Sequence, residues 1–130
     1  MEETLENQCP FCRPTESRVI IRLSQFYLYR DKFPISPGHT LVIPYKHVAT
    51  IDSLEEEEQK TLFKSVLAAQ EELNQSHQPD GYNIGINQGL TGGQTVPHLH
   101  IHVIPRYHGD KPDPRGGVRW IFPDKADYWS

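Results

Sequence analysis

Sulfur is scarce in this chain: one methionine and two cysteines in 130 residues, the cysteines confined to Cys9-Pro-Phe-Cys12. So few cysteines exclude a disulfide-stapled scaffold, and in a reducing compartment a pair at this spacing serves as metal ligands or as a redox couple. Two thiols do not complete a tetrahedral site, so a bound zinc would need two more ligands from elsewhere. A long apolar run is missing too, which excludes a membrane-spanning helix. The opening Met-Glu-Glu-Thr-Leu-Glu lacks the basic and apolar regions of a secretory leader, and a soluble cytoplasmic protein with no membrane partner is expected. Positive charge is in deficit, with a net charge of −4, so no broad basic face offers itself to nucleic acid. A small anionic ligand stays open, because a few backbone amides and charged side chains suffice for one. There is no internal repeat and no low-complexity segment.

What is present suits one turn-rich domain over residues 1–130. The length supports a single core, and 36% apolar residues with 11 prolines and 9 glycines argue against a helical bundle. Val19–Arg22 and Phe26–Tyr29 read as a hairpin, and Asp31–His39 as a loop broken by Pro34, Pro37 and Gly38. Thr40–Pro44 follows as a buried strand. A long helix is predicted from Leu54 to Asn74, capped by Ser53 with Glu56 or by Asp52 with Glu55. Leu62, Phe63, Val66, Leu67 and Leu73 form its expected buried stripe. Glu55 to Glu58 crowd the first turn, where the helix dipole favours negative charge, and read as a solvated helix start. Gly81–Asn87 reads as a strand, Gln88–Thr95 as a glycine-rich loop, and His98–Pro105 as the final strand. One helix among several strands implies an α+β fold on a mostly antiparallel sheet of about five strands. Residues 106–130 form an irregular extension packed on it, and a loop of that length is usually functional or partner-facing.

The chemistry concentrates in Pro97-His-Leu-His-Ile-His-Val-Ile-Pro105. Side chains alternate along a strand, so His98, His100 and His102 would share one face while Leu99, Ile101 and Val103 fill a core on the other. Three imidazoles in a row answer no packing need, since each is costly to desolvate without a partner. The preceding Gly92-Gly93-Gln94 turn offers bare backbone that a phosphate can approach closely. The residues themselves leave three readings open: hydrogen-bonded structural histidines, a metal centre held jointly by the three rings as in an oxygenase-like barrel, or a nucleophile that attacks phosphorus to form a covalent intermediate.

The run His98–Ile104, with Gly92-Gly93-Gln94-Thr95 upstream and Pro37-Gly-His-Thr-Leu-Val-Ile-Pro44 before it, resembles the histidine triad (HIT) superfamily of nucleotide hydrolases and transferases. The segment Gly93–Arg106 is most similar to the dinucleoside-polyphosphate hydrolase, or Fhit-like, branch. The resemblance implies a HIT-like fold, a homodimer and a nucleotide substrate cleaved at the α-phosphate. By the same resemblance the nucleophile falls on His100, and His102 bonds a phosphate oxygen or the leaving group. His39 orients the triad, Asp31 holds the ribose, and Asn87, Gln94 and Thr95 contact the phosphate. An attacking imidazole must be neutral and held in one tautomer, and an ordinary histidine, with a pKa of about 6.5, meets the first condition at neutral pH.

Some relatives also carry Cys-x-x-Cys and bind zinc, which here implies a structural site of Cys9, Cys12, His47 and His98. Magnesium would arrive with a polyphosphate substrate, and no organic cofactor is implied. Within the superfamily the alternative activity is an AMP-amine phosphoramidase, and outside catalysis a nucleotide-binding signalling module. Ile20, Phe26, Leu28 and Ile43 are candidates either for the walls of a base pocket or for the core. In the tail, Arg115 and Arg119 could neutralise a polyphosphate, while Trp120, Tyr128 and Trp129 could serve an interface.

Overall fold

The computed structural model describes residues 8–130, and the acidic opening stretch 1–7 lies outside them. Runs of β-branched and aromatic residues supply five strands: β1 Val19–Arg22, β2 Phe26–Arg30, β3 Thr40–Pro44, β4 Gly81–Gly85 and β5 Ile101–Arg106. They form one antiparallel sheet in the order β1-β2-β3-β5-β4. A single helix, α1, spans Glu56–Ser76. Among the described residues no helix is long and apolar enough to cross a membrane.

Each strand divides its residues between two faces. Phe26, Leu28, Val42, Ile101 and Val103 point to one side, where they meet Leu54, Val66, Ala69 and Leu73 in the main core. On the other face the pairing brings Val19, Tyr29, Leu41, His102 and Gly85 into one row across all five strands. The row ends in a residue without a side chain, so space opens beside His102.

Several boundaries differ from those expected. The helix starts two residues later than predicted, and neither Ser53 nor Asp52 caps it, because Ile51–Ser53 form a separate 3-10 turn that lets Leu54 enter the core. The capping box is Glu55 with Glu58. The buried stripe is Val66, Ala69 and Leu73 with Leu62 beside it, whereas Phe63 and Leu67 are 76% and 58% exposed. Strand β4 ends at Gly85 rather than Asn87, and β5 begins at Ile101 rather than His98. The chain before β5 bends, with the His98 N–H donating to the Val96 carbonyl at 2.8 Å and the Leu99 N–H to that of Val48 at 2.7 Å. Gly38, at φ +86°, turns the loop into β3 against Leu73 and His77, where a side chain would meet both.

Leu73 is fully buried where α1 meets the sheet. Leu73→Ala should lower unfolding free energy by about 2–5 kcal/mol in a urea titration. A loss below about 1 kcal/mol, within the ordinary range for surface changes, would contradict this seating of the helix.

Candidate active site

The bend ahead of β5 decides where the three histidines go. They do not converge on one point, so the jointly held metal centre considered from the sequence is not what the fold builds. His98 is fully buried and turns towards the N-terminal cysteines. Its Nε2–H donates to the Pro44 carbonyl at 2.8 Å, which leaves Nδ1 with its lone pair. That nitrogen lies 3.3 Å from Cys9 Sγ, 3.5 Å from Cys12 Sγ and 3.2 Å from His47 Nδ1. His47 Nδ1 is in turn 3.1 Å from Cys12 Sγ. The four ligand atoms lie within 4.8 Å of one another and form a site able to hold a metal ion.

His100 and His102 instead line a cavity of about 1040 Å³ over the open face of the sheet. Nδ1–H of His100 donates to the carbonyl of His98 at 2.8 Å, so the neutral ring has its lone pair on Nε2. A second chain of hydrogen bonds fixes His102. The Ile35 N–H donates to His39 Nδ1 at 3.2 Å, so His39 carries its proton on Nε2 and donates it to His102 Nδ1 at 2.9 Å. The remaining N–H of His102 is then a donor. Asp31 Oδ2 lies 3.4 Å from His39 Nε2, while Oδ1 accepts the Phe33 N–H at 2.8 Å. Burial lowers the pKa of His39 even though Asp31 opposes it. Burial also lowers His102, helped by the charges His100 and His39 would carry, to about 4. Near neutral pH both rings are uncharged.

The other expected site residues divide into two groups. Asp31, Asn87 and Thr95 line the cavity together with Gly92 and Gly93. The Gln94 side chain does not. Its Oε1 accepts the Gly89 N–H at 2.9 Å and its Nε2 donates to the carbonyls of Ala49 and Val96 at 2.9 and 3.1 Å, so it braces the glycine loop. Phe26, Leu28 and Ile43 are core residues, and Ile20 packs against the core. The apolar walls come from Phe11, Tyr29, Phe33, Ile35 and Leu41, together with Ile104, Val118 and Ile121. Sequence reading missed Phe11 and the two tail residues, whose positions depend on segments that fold back over the sheet. Arg115 and Arg119 hold the tail to itself. Arg115 pairs with Asp113 at 3.0 Å and stacks on Trp129, while Arg119 donates to the carbonyls of Lys125 and Ala126 and stacks on Tyr128.

Residues 13–109 match the family described as HIT domain. The chain is 39% identical over 97 residues to an asymmetrical bis(5'-nucleosyl)-tetraphosphatase of Schizosaccharomyces pombe, covering 75% of this chain and 53% of that one. It is 33% identical over 104 residues to an AP-4-A phosphorylase of Mycobacterium tuberculosis, covering 79% and 53%. The chain thus spans about half the length of these two relatives. Among solved structures, a zinc-bound histidine triad family protein from Mycobacterium smegmatis superimposes with a TM-score of 0.73 at 32% identity, covering 83% of this chain and 81% of that one.

The low pKa of His102 makes a prediction about stability. In the unfolded chain the ring takes a proton near pH 6.5, whereas in the folded chain it resists protonation down to about 4. The unfolded state therefore binds more protons in that window, and its contribution to stability, complete above pH 6.5, is lost as pH falls towards 4. Between pH 7.5 and 5 the denaturation midpoint should fall further for the wild type than for His102→Asn. Parallel curves would refute the assignment.

Proposed function

The chain belongs to the HIT domain family, and on that premise we propose that it is a nucleotide hydrolase or nucleotidyl transferase that works through a covalent bond between His100 and the α-phosphorus. The observation that carries this reading is the tautomer of His100, with Nδ1–H held by the His98 carbonyl and Nε2 left free on a ring that lines the cavity. Attack by Nε2 forms a P–N bond as the bond to the leaving group breaks, giving a nucleotidyl-imidazole. Water then attacks phosphorus, the P–N bond breaks, and His100 recovers its lone pair. The free N–H of His102 is suited to bond a non-bridging oxygen or the departing group, and Asn87, Thr95 and the glycine-loop backbone add neutral donors where charge develops. In this reading Asp31, which lines the cavity, takes the ribose hydroxyls, and Phe11, Tyr29 and Leu41 receive the base.

A dinucleoside polyphosphate is the proposed substrate class. Ile104, Val118 and Ile121 also line the cavity and offer apolar surface for a large leaving group. Magnesium would come with the phosphates. The Cys9, Cys12, His47 and His98 set suits a structural zinc. Two thiols and two imidazole nitrogens make a closed tetrahedral donor set, and the His98 ring is oriented by its bond to the Pro44 carbonyl, as metal-bound imidazoles usually are. Its chemistry there is structural, cross-linking the N-terminal segment to the ends of β3 and β5.

A homodimer completes the reading. Strand β4 lies at the edge of the sheet, and beside it Phe63 and Ile84 are exposed on a shallow apolar groove of about 390 Å³. A second copy pairing β4 to β4 would continue the sheet and cover these side chains.

Two experiments test these proposals. His100→Asn should lower kcat on a dinucleoside tetraphosphate on the order of 10^4-fold or more, and brief exposure of the wild type to substrate should leave a nucleotidyl adduct on His100 by mass spectrometry. Wild-type turnover in a folded His100→Asn sample would end the proposal. In sedimentation, the wild type should run at twice its 15.0 kDa chain mass and Phe63→Glu at the single-chain mass. A monomeric wild type would reject the dimer.

A further inference from the structure

We propose that metal binding and nucleotide binding stabilise one another through Phe11, which makes the metal site a determinant of nucleotide affinity. This rests on the nucleotide and zinc readings above. Phe11 lies between the two cysteines, and the metal-ligand set and the cavity wall are therefore built from the same short stretch of chain. Its ring meets His98 edge-on at 5.9 Å, Tyr29 edge-on at 6.1 Å and His100 at a tilt, 5.0 Å away. It thus meets a proposed metal ligand, the proposed nucleophile and a wall residue of the cavity at once. Pro10, Phe11 and Arg13 all line the cavity.

Among the described residues, no strand ladder includes the stretch 8–15. The turn is organised around the Cys9 sulfur, which accepts the N–H groups of Phe11 and Cys12, both at 3.4 Å. Its contacts with the body of the protein include Cys9 and Cys12 beside His47 and His98, the Phe11 ring, and the Tyr27 hydroxyl, which donates to the Phe11 carbonyl at 2.5 Å. A metal ion would turn the sulfur–nitrogen contacts into bonds and hold the segment in the position that presents Phe11 to the cavity. Without it, the segment loses its strongest cross-links to β3 and to the chain before β5, and its seated state is less populated. A nucleotide that packs on Phe11 favours the seated state, which is also the one that assembles the four ligands. Two ligands that prefer the same conformation must raise each other's affinity by the same factor. The His100 tautomer depends on the His98 carbonyl and not on Phe11, so Phe11 is a positioning residue whose loss acts on binding.

The test is the zinc affinity of the whole chain, measured by competition with a chromophoric chelator with and without saturating AMP. AMP should tighten zinc binding at least about 5-fold, the lower end of typical coupling between sites. By reciprocity, stripping zinc should weaken AMP binding in calorimetry by the same factor. Phe11→Ala keeps all four ligands and should still bind zinc, but its ratio of affinities with and without AMP should fall to about one. Phe11→Leu, which preserves the apolar contact, should recover part of the ratio and supplies the comparison if circular dichroism shows Phe11→Ala misfolded. If AMP binds the zinc-loaded wild type and zinc affinity does not change, the coupling is wrong and the nucleotide reading stands. A full wild-type ratio in a folded Phe11 variant would likewise overturn the role of this residue. Failure of AMP to bind the loaded protein would overturn the nucleotide reading and this inference with it, and failure to bind zinc would overturn the metal reading and the coupling.

Discussion

The ring of His100 is fixed by a bond that reaches only two residues back along its own chain, to the carbonyl of His98. That carbonyl can orient a side chain because its own residue is immobilised from several directions. The His98 ring is buried, its Nε2–H is held by the Pro44 carbonyl, and its backbone N–H closes a turn onto Val96. The end of β3, the entry to β5 and the cysteine turn therefore all bear on the tautomer of one neighbouring imidazole. A surface loop could not impose that constraint, because a solvated carbonyl would exchange its partner for water.

The second consequence is that the His39–His102 pair stays neutral while remaining strongly directional. From the Ile35 N–H through His39 to His102, each hydrogen bond decides which nitrogen of the next ring is the acceptor. Burial keeps His39 and His102 uncharged near neutral pH, so direction is preserved without attracting a counter-ion. A protonated pair would attract a phosphate more strongly. It would also put two positive charges 2.9 Å apart at the bonded nitrogens, which their burial forbids. His100 and His102 differ by one turn of the residue alternation, yet one presents a lone pair and the other an N–H. The difference comes entirely from which backbone group each chain of hydrogen bonds begins on.

Local pattern made part of this legible in the sequence. The alternation of Leu99, Ile101 and Val103 announced a core face, and that face is buried. The hairpin, β3 and the glycine loop were readable for the same reason, since turn residues and β-branched runs act over a few positions. The less legible features depend on contacts distant along the chain. Periodicity gave α1 an apolar stripe but could not say how wide a stripe the sheet would cover, and Phe63 and Leu67 lie beyond its margin. Gln94 carries a residue type suited to phosphate contact, but three backbone partners, including Ala49 from far along the chain, engage its amide. Phe11, Val118 and Ile121 looked unremarkable because nothing in their neighbourhoods indicates which face of the sheet the termini will cover.

Phe11, Val118 and Ile121 share a location outside the strand ladders. The reactive row is built into strand pairing, where Tyr29, Leu41, His102 and Gly85 are neighbours by register and a one-residue slip would turn every one of them to the opposite face. The walls that enclose a substrate come partly from the sheet, through Tyr29, Leu41 and Ile104, and partly from segments outside the ladders: the cysteine turn, the loop before β3, the loop over 88–96 and the tail. Changing a wall residue outside the strands need not disturb the register, whereas moving His102 would require the sheet to repack. The tail shows how such a wall is held without strand pairing. Arg119 closes the segment onto its own carbonyls, and Val118 and Ile121 on either side of it are left facing the cavity. The chemistry is thereby held by sheet register at His102 and by the bend ahead of β5 at His100, while part of the substrate enclosure depends on how the irregular segments are anchored.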